Sequence, residues 1–144
     1  MFKHILVPTD GSDITAKAVQ IAIELAKLGA ASLSTICIKE PFPYSAISEM
    51  QPVPPQEFYD AQERIAAGRV KSVVDSATAA GVACKGYTVE ALHPWEAILD
   101  HAKQQGCDLI VMASHGRRGM AALLIGSETS RVLTHSPLPV LVVK

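Results

Sequence analysis

The chain has 144 residues, 49% hydrophobic and 19% charged, which suits one domain with a genuine core and leaves no room for two of ordinary size. Thirteen basic against fourteen acidic residues give a net charge of −1, without the basic excess that a broad nucleic-acid footprint needs. The three cysteines (Cys37, Cys84, Cys107) form no CxxC, the first apolar run stops at Pro8, and no run approaches membrane-spanning length, so buried free thiols in a soluble, cytoplasmic protein are expected.

Residues 2–8 read as a strand, with Thr9-Asp-Gly-Ser12 as its turn. Residues 15–28 carry Ala18, Ile21, Ala22, Leu25 and Leu28 on one face at helical spacing, and Gly29 supplies a stop. Residues 32–38 are a second strand. Five of the nine prolines then fall between Pro41 and Pro55, which marks a loop. A long helix over 56–80 gathers Val70, Val73, Val74 and Ala77 on one side. Residues 84–89 form a third strand, and 94–105 a helix with Pro94 in its first turn. Strands over 108–113 and 140–143 complete five, and an amphipathic run over 128–133 opens a helix between them. Strands that alternate with helices imply parallel pairing through crossovers, hence a layered α/β sheet in one domain spanning 1–144.

In open sheets of this kind ligands sit beyond the carboxyl ends of the strands. Four loops leave such ends, at 9–12, 39–55, 91–93 and 113–127. The chain has no G-x-x-x-x-G-K-[ST], and its first strand runs into Asp10-Gly-Ser12 rather than G-x-G-x-x-G. Any phosphate site must therefore lie after the fourth strand, where the other reading is an ordinary surface loop. There Ala113-Ser-His-Gly-Arg-Arg-Gly-Met-Ala-Ala-Leu-Leu-Ile-Gly-Ser127 joins a strand to a helix start. Outward backbone amides and the positive end of a helix dipole suit that place to phosphate. Gly116, Gly119 and Gly126 keep side chains out of the way. Ser127 either caps the helix in the ordinary way or offers its amide and hydroxyl to phosphate.

Other residues carry two readings each. Asp10 is placed to accept from an adenine amino group or ribose hydroxyls, or else closes an Asx turn ahead of Gly11 and Ser12. Arg117 and Arg118 neutralise phosphate charge or are simply solvated. Glu128 suits the helix dipole and is expected to face outward, since an inward carboxylate would repel phosphate. Met112-Ala-Ser-His-Gly116 approaches a nucleophile elbow but has Met112 at the first glycine. Glu128 is the one acid that follows it, so a Ser–His–acid hydrolase is disfavoured. His4, His93 and His101 lack metal-ligand spacing. If Val140–Val143 lies at the sheet edge, it offers unpaired backbone to a second copy and a symmetric dimer; otherwise it is a covered strand of a monomer.

Taken together, Ile5-Leu-Val-Pro-Thr-Asp-Gly-Ser12, Ser114-His-Gly116, the nine residues 117–125, Gly126-Ser127 and Ser136-Pro-Leu-Pro-Val-Leu-Val-Val143 resemble the universal stress protein family over essentially the whole chain. The resemblance implies a Rossmann-like, adenine nucleotide alpha hydrolase-like fold: a five-stranded parallel sheet in the order 3-2-1-4-5 with helices on both faces. It also implies a homodimer made through the last strand. The family's nucleotide-binding branch carries G-x-x-G, nine residues, then G-[ST]. This chain matches at Gly116, Gly126 and Ser127 and departs at the first position, Ala113. Carried over by position, Pro8, Thr9, Asp10 and Ile38 would surround adenine and ribose. Met112, Ala113, His115, Gly116, Arg117, Gly126 and Ser127, with the backbone of Glu128 and Thr129, would surround the phosphates.

The expected function is a dimeric stress-response module that binds ATP, or AMP or ADP, with Mg²⁺ arriving on the triphosphate. Hydrolysis is expected to be slow, for want of a positioned general base. Binding would order the loop over 39–55 and so report to a protein partner, with neither nucleic acid nor membrane involved. The alternative is a nucleotide-independent interaction protein of the same fold, which Ala113 favours if its backbone needs positive φ or a ribose touches its α-carbon.

Overall fold

Five short segments become five parallel strands because the helices between them return each one to the same sheet. The structure, a computed structural model, describes residues 1–42, 56–117 and 124–144. Its strands are β1 (His4–Pro8), β2 (Ser32–Lys39), β3 (Cys84–Glu90), β4 (Leu109–Ala113) and β5 (Val140–Val143). Its helices are α1 (Asp13–Gly29), α2 (Gln56–Ala79), α3 (Pro94–Gln104) and α4 (Ser127–His135). The strand order is β3-β2-β1-β4-β5, as the resemblance implied. Register pairs Pro8 with Ile36, Leu6 with Ile110, Ile38 with Val89 and Ala113 with Val143. The chain direction of strand addition reverses between β1 and β4, which opens a crevice at their carboxyl ends.

The two central strands are buried on both faces, which is why their sequences read as unbroken apolar runs rather than alternations. Ile5, Val7, Val111 and Ala113 pack beneath α1 and α2, against Ala18, Ala22, Ala26, Val73 and Ala77. Leu6, Ile110 and Met112 point the other way, onto Ile98 and Ala102 of α3 and Val132 of α4. Cys37 and Cys107 are buried free thiols and Cys84 is half-buried. Burial pushes the Cys84 and Cys107 thiols up to about 11. No helix among the described residues is long and apolar enough to cross a membrane.

The element ends differ from the sequence reading for local reasons. β1 and β4 start two and one residues late, because the Asp108 carboxylate takes the amides of Lys3 (2.8 Å) and His4 (3.1 Å) just before pairing begins. α1 starts at Asp13, with Ser12 as its cap accepting from the Thr15 amide at 3.4 Å. Gly29 stays helical, and Ala30 takes the left-handed conformation (φ 51°, ψ 39°) that ends the helix. A Cβ at position 29 would meet the exposed Met1 side chain at 3.3 Å and the Phe2 carbonyl at 3.6 Å. The proline-rich loop from residue 43 onward, Arg118 and Gly119 lie outside the described residues.

Candidate functional site

The turn after β1 is built around Asp10. Its Oδ1 accepts from the Ser12 amide at 2.9 Å and the Thr15 hydroxyl at 3.1 Å, so the Asx turn is formed. Its Oδ2 reaches the loop after β4 and accepts from the Arg117 amide at 2.6 Å. Arg117 Nε in turn donates to the Asp10 carbonyl at 3.2 Å. Burial alone would push the Asp10 carboxyl up, but these donors from Ser12, Arg117 and Thr15 outweigh it and hold it below its ordinary value. Asp10 is thus an anion at neutral pH with most of its acceptor capacity used. Gly11 sits at φ +78°, and a Cβ there would meet Arg69 Nε at 2.9 Å. Only glycine suits both demands.

The loop after β4 is stitched back onto the sheet. The Gly126 amide donates to the Ser114 carbonyl at 2.7 Å, and the buried Thr129 hydroxyl donates to the Ala113 carbonyl at 2.9 Å. These bonds aim the start of α4 at the crevice. Gly126, not Ser127, is the N-cap, and no side chain caps this helix. Ser127 is its first helical residue and exposed. The first intrahelical bond runs from the Ser130 amide to the Gly126 carbonyl at 2.9 Å. The amides of Ser127, Glu128 and Thr129 come before it and find no acceptor among the described residues. With the helix dipole behind them, they form an anion-accepting end.

Glu128 does not face outward as expected. It is half-buried, and its Oε2 accepts from the Trp95 amide at 2.9 Å, at the start of α3. The His93 cap of α3 makes no side-chain bond of its own. A carboxylate at this amide end therefore replaces a local cap, and the same bond commits it to α3. The Trp95 and His135 rings stack at 4.5 Å and reinforce the α3–α4 contact.

Ala113 ends β4 with its side chain in the core beneath α1, 4% exposed. Its φ is not positive, since Ala30 is the one non-glycine residue in that region among those described. The added methyl is thus absorbed by the core rather than strained. Met112 is buried on the opposite face and offers the crevice only its backbone. Pro8 and Ile38 are half-buried at the strand ends, and Thr9 is buried with its amide bonded to the Ile36 carbonyl at 2.9 Å. His115 is half-buried, its Nδ1 3.1 Å from the buried Ser114 hydroxyl. A cleft of about 500 Å³ opens beside Ser12, Lys17, His115, Gly116 and Arg117.

Sequence reasoning missed Thr15, Trp95 and Arg69, and weighed Ser114 only as a disfavoured nucleophile and as part of the family motif. The spacing Ser12-x-x-Thr15 after a strand carries a capping signal for the first. Nothing in the sequence joins Trp95 to Glu128 or Arg69 to Gly11, which meet only in the folded sheet.

Fold and site define a doubly wound α/β protein with a glycine-capped helix at its switch point. The chain belongs to the universal stress protein family, whose sequence profile matches residues 1–144. It is 32% identical over 150 residues to the universal stress protein YxiE of Bacillus subtilis, with all of both chains covered. It is similar to the solved structure of MJ0577 from Methanocaldococcus jannaschii, with a TM-score of 0.83, 28% identity, and 100% and 96% of the two chains covered. A universal stress protein solved in complex with cAMP gives a TM-score of 0.73 at 25% identity, covering 99% of this chain and 97% of that one.

Proposed function

We propose that this chain binds an adenine nucleotide at the carboxyl ends of β1, β2 and β4, as a regulatory module rather than a fast enzyme. The observation that carries the reading is the start of α4: a glycine cap followed by three amides, on Ser127, Glu128 and Thr129, without acceptors among the described residues. Such an end accepts phosphate oxygens without needing a basic side chain. Ala113 lacks positive φ and buries its methyl in the core, which supports the reading against backbone strain at that position, and a universal stress protein solved in complex with cAMP supports the adenine class.

In this reading Pro8, Thr9, Asp10 and Ile38 contact adenosine. An ionised carboxylate has about four lone-pair sites, so the three bonds that Asp10 accepts leave it one for a ribose hydroxyl or adenine amine. The backbone from Met112 through Arg117 and the start of α4 take the phosphates. ATP with Mg²⁺ is the expected ligand, the metal being carried by the triphosphate. Leu141 on the edge strand β5 is 40% exposed, which suits pairing of Val140–Val143 with a second copy in a cytoplasmic homodimer. Titration calorimetry with ATP, ADP, AMP and cAMP, with and without Mg²⁺, tests the ligand. Saturable binding of an adenine nucleotide is expected, and heat of dilution alone for all four would refute it.

A further inference from the structure

Gly116 belongs to a loop read as a phosphate contact, yet its immediate neighbour is a carboxylate. A Cβ built on Gly116 would lie 2.7 Å from Asp10 Oδ2, closer than carbon and oxygen can pack. Its φ is not positive among the described residues, so backbone freedom is not the reason for glycine here. Asp10 cannot move aside cheaply. Its Oδ1 is held by the Ser12 amide and the Thr15 hydroxyl, and its Oδ2 by the Arg117 amide at 2.6 Å. Any rotation that relieves the clash withdraws Oδ2 from Arg117, the residue next to Gly116.

We propose that Gly116 is a positioning residue for Asp10: its missing side chain admits the carboxylate that ties the turn after β1 to the loop after β4. One contact then sets both the nucleoside end and the phosphate end of the site. The nucleotide part of this inference rests on the proposed function, whereas the tie itself does not. When the carboxylate withdraws, the Arg117 amide loses its acceptor, and only the Arg117 Nε bond to the Asp10 backbone carbonyl still links the two loops. A methyl on Gly116 therefore harms adenosine recognition, although no phosphate touches Asp10.

The test uses the full chain with Gly116→Ala, Asp10→Ala and the double variant. Gly116 is exposed, so alanine there disturbs no core. In the wild type the Arg117 amide resonance is expected to follow the titration of Asp10, with a midpoint below the ordinary carboxylate value, and to exchange slowly. Gly116→Ala is expected to raise that midpoint and to speed exchange of the Arg117 amide about tenfold, the scale of one charge-assisted hydrogen bond. In the Asp10→Ala background the same substitution is expected to add almost nothing, because partners in one contact do not act additively. Adenosine affinity follows the same cycle, with a loss of about tenfold in either single variant and no further loss in the double. Unchanged Arg117 exchange in Gly116→Ala, or strictly additive effects in the double variant, would overturn the inference. Absence of nucleotide binding in the wild type would sink the proposed function alone, and the ligand-free amide measurements would still decide the tie.

Discussion

Thr129→Val isolates the bond that holds α4 on the sheet. The threonine hydroxyl donates to the Ala113 carbonyl at 2.9 Å, and the side chain is 3% exposed. Valine keeps the shape and the branch at Cβ but removes the donor, leaving a carbonyl at the end of β4 short of a partner in a dry place. Such a loss costs about 1–3 kcal/mol. For a domain of this size that lowers Tm by about 3–10 °C. Thr129→Ser is the control: it keeps the hydroxyl and removes one methyl, worth about 1 kcal/mol. Urea unfolding followed by circular dichroism should give a lower midpoint for the valine variant at an unchanged slope. Nucleotide affinity should fall further in Thr129→Val than in Thr129→Ser, since only the former lets the three first-turn amides drift from the crevice. A valine variant as stable as the wild type, or a serine variant equally damaged, would show that shape rather than the hydrogen bond seats the helix.

Three further outcomes follow from the same geometry. Ala113→Gly restores the family's first glycine but removes a buried methyl from a strand, so it should destabilise by roughly 0.5–1 kcal/mol or more without improving ATP affinity, read by thermal melts and calorimetry. Glu128→Ala should lower stability by about 1 kcal/mol through loss of the cap on Trp95, while nucleotide affinity does not fall, because the Glu128 side chain is committed to α3 and the proposed site uses only its amide. Burial, and secondarily the charge of His4, hold the His101 imidazole below its ordinary 6.5, so the unfolded chain takes up this proton at higher pH than the folded one. Stability is then full above the ordinary value and declines as pH falls from it toward the depressed one. His101→Phe should flatten that decline in urea titrations between about pH 7.5 and pH 5.5.

Much of this protein is legible in its sequence because period and punctuation are local. Ile5-Leu-Val7 and Leu109–Ala113 announce doubly buried strands by having no polar alternation, and the helices over α1 to α4 show their apolar faces at helical spacing. Strand order came through the family resemblance rather than through spacing, since local periodicity does not say which strands become neighbours. Asp10 and the glycines of the loop after β4 stand out as candidate site residues by residue type and position. Their partners do not. Glu128 reaches Trp95 across 33 positions, and Asp10 reaches Arg117 across 107. Ser127 lost the cap to Gly126 because the Gly126 amide is drawn to the Ser114 carbonyl. Whether Ala113 is a defect or a neutral change was likewise undecidable from one letter. Side-chain direction at a strand end is set by the pleat of the whole sheet, and here the pleat turns the methyl into the core. The sequence alone thus determined which segments are strands and helices and which strand-to-helix loop is the candidate for an anion site. Only the tertiary structure decided which atoms meet there, because hydrogen bonds between distant residues depend on a register that no local pattern encodes.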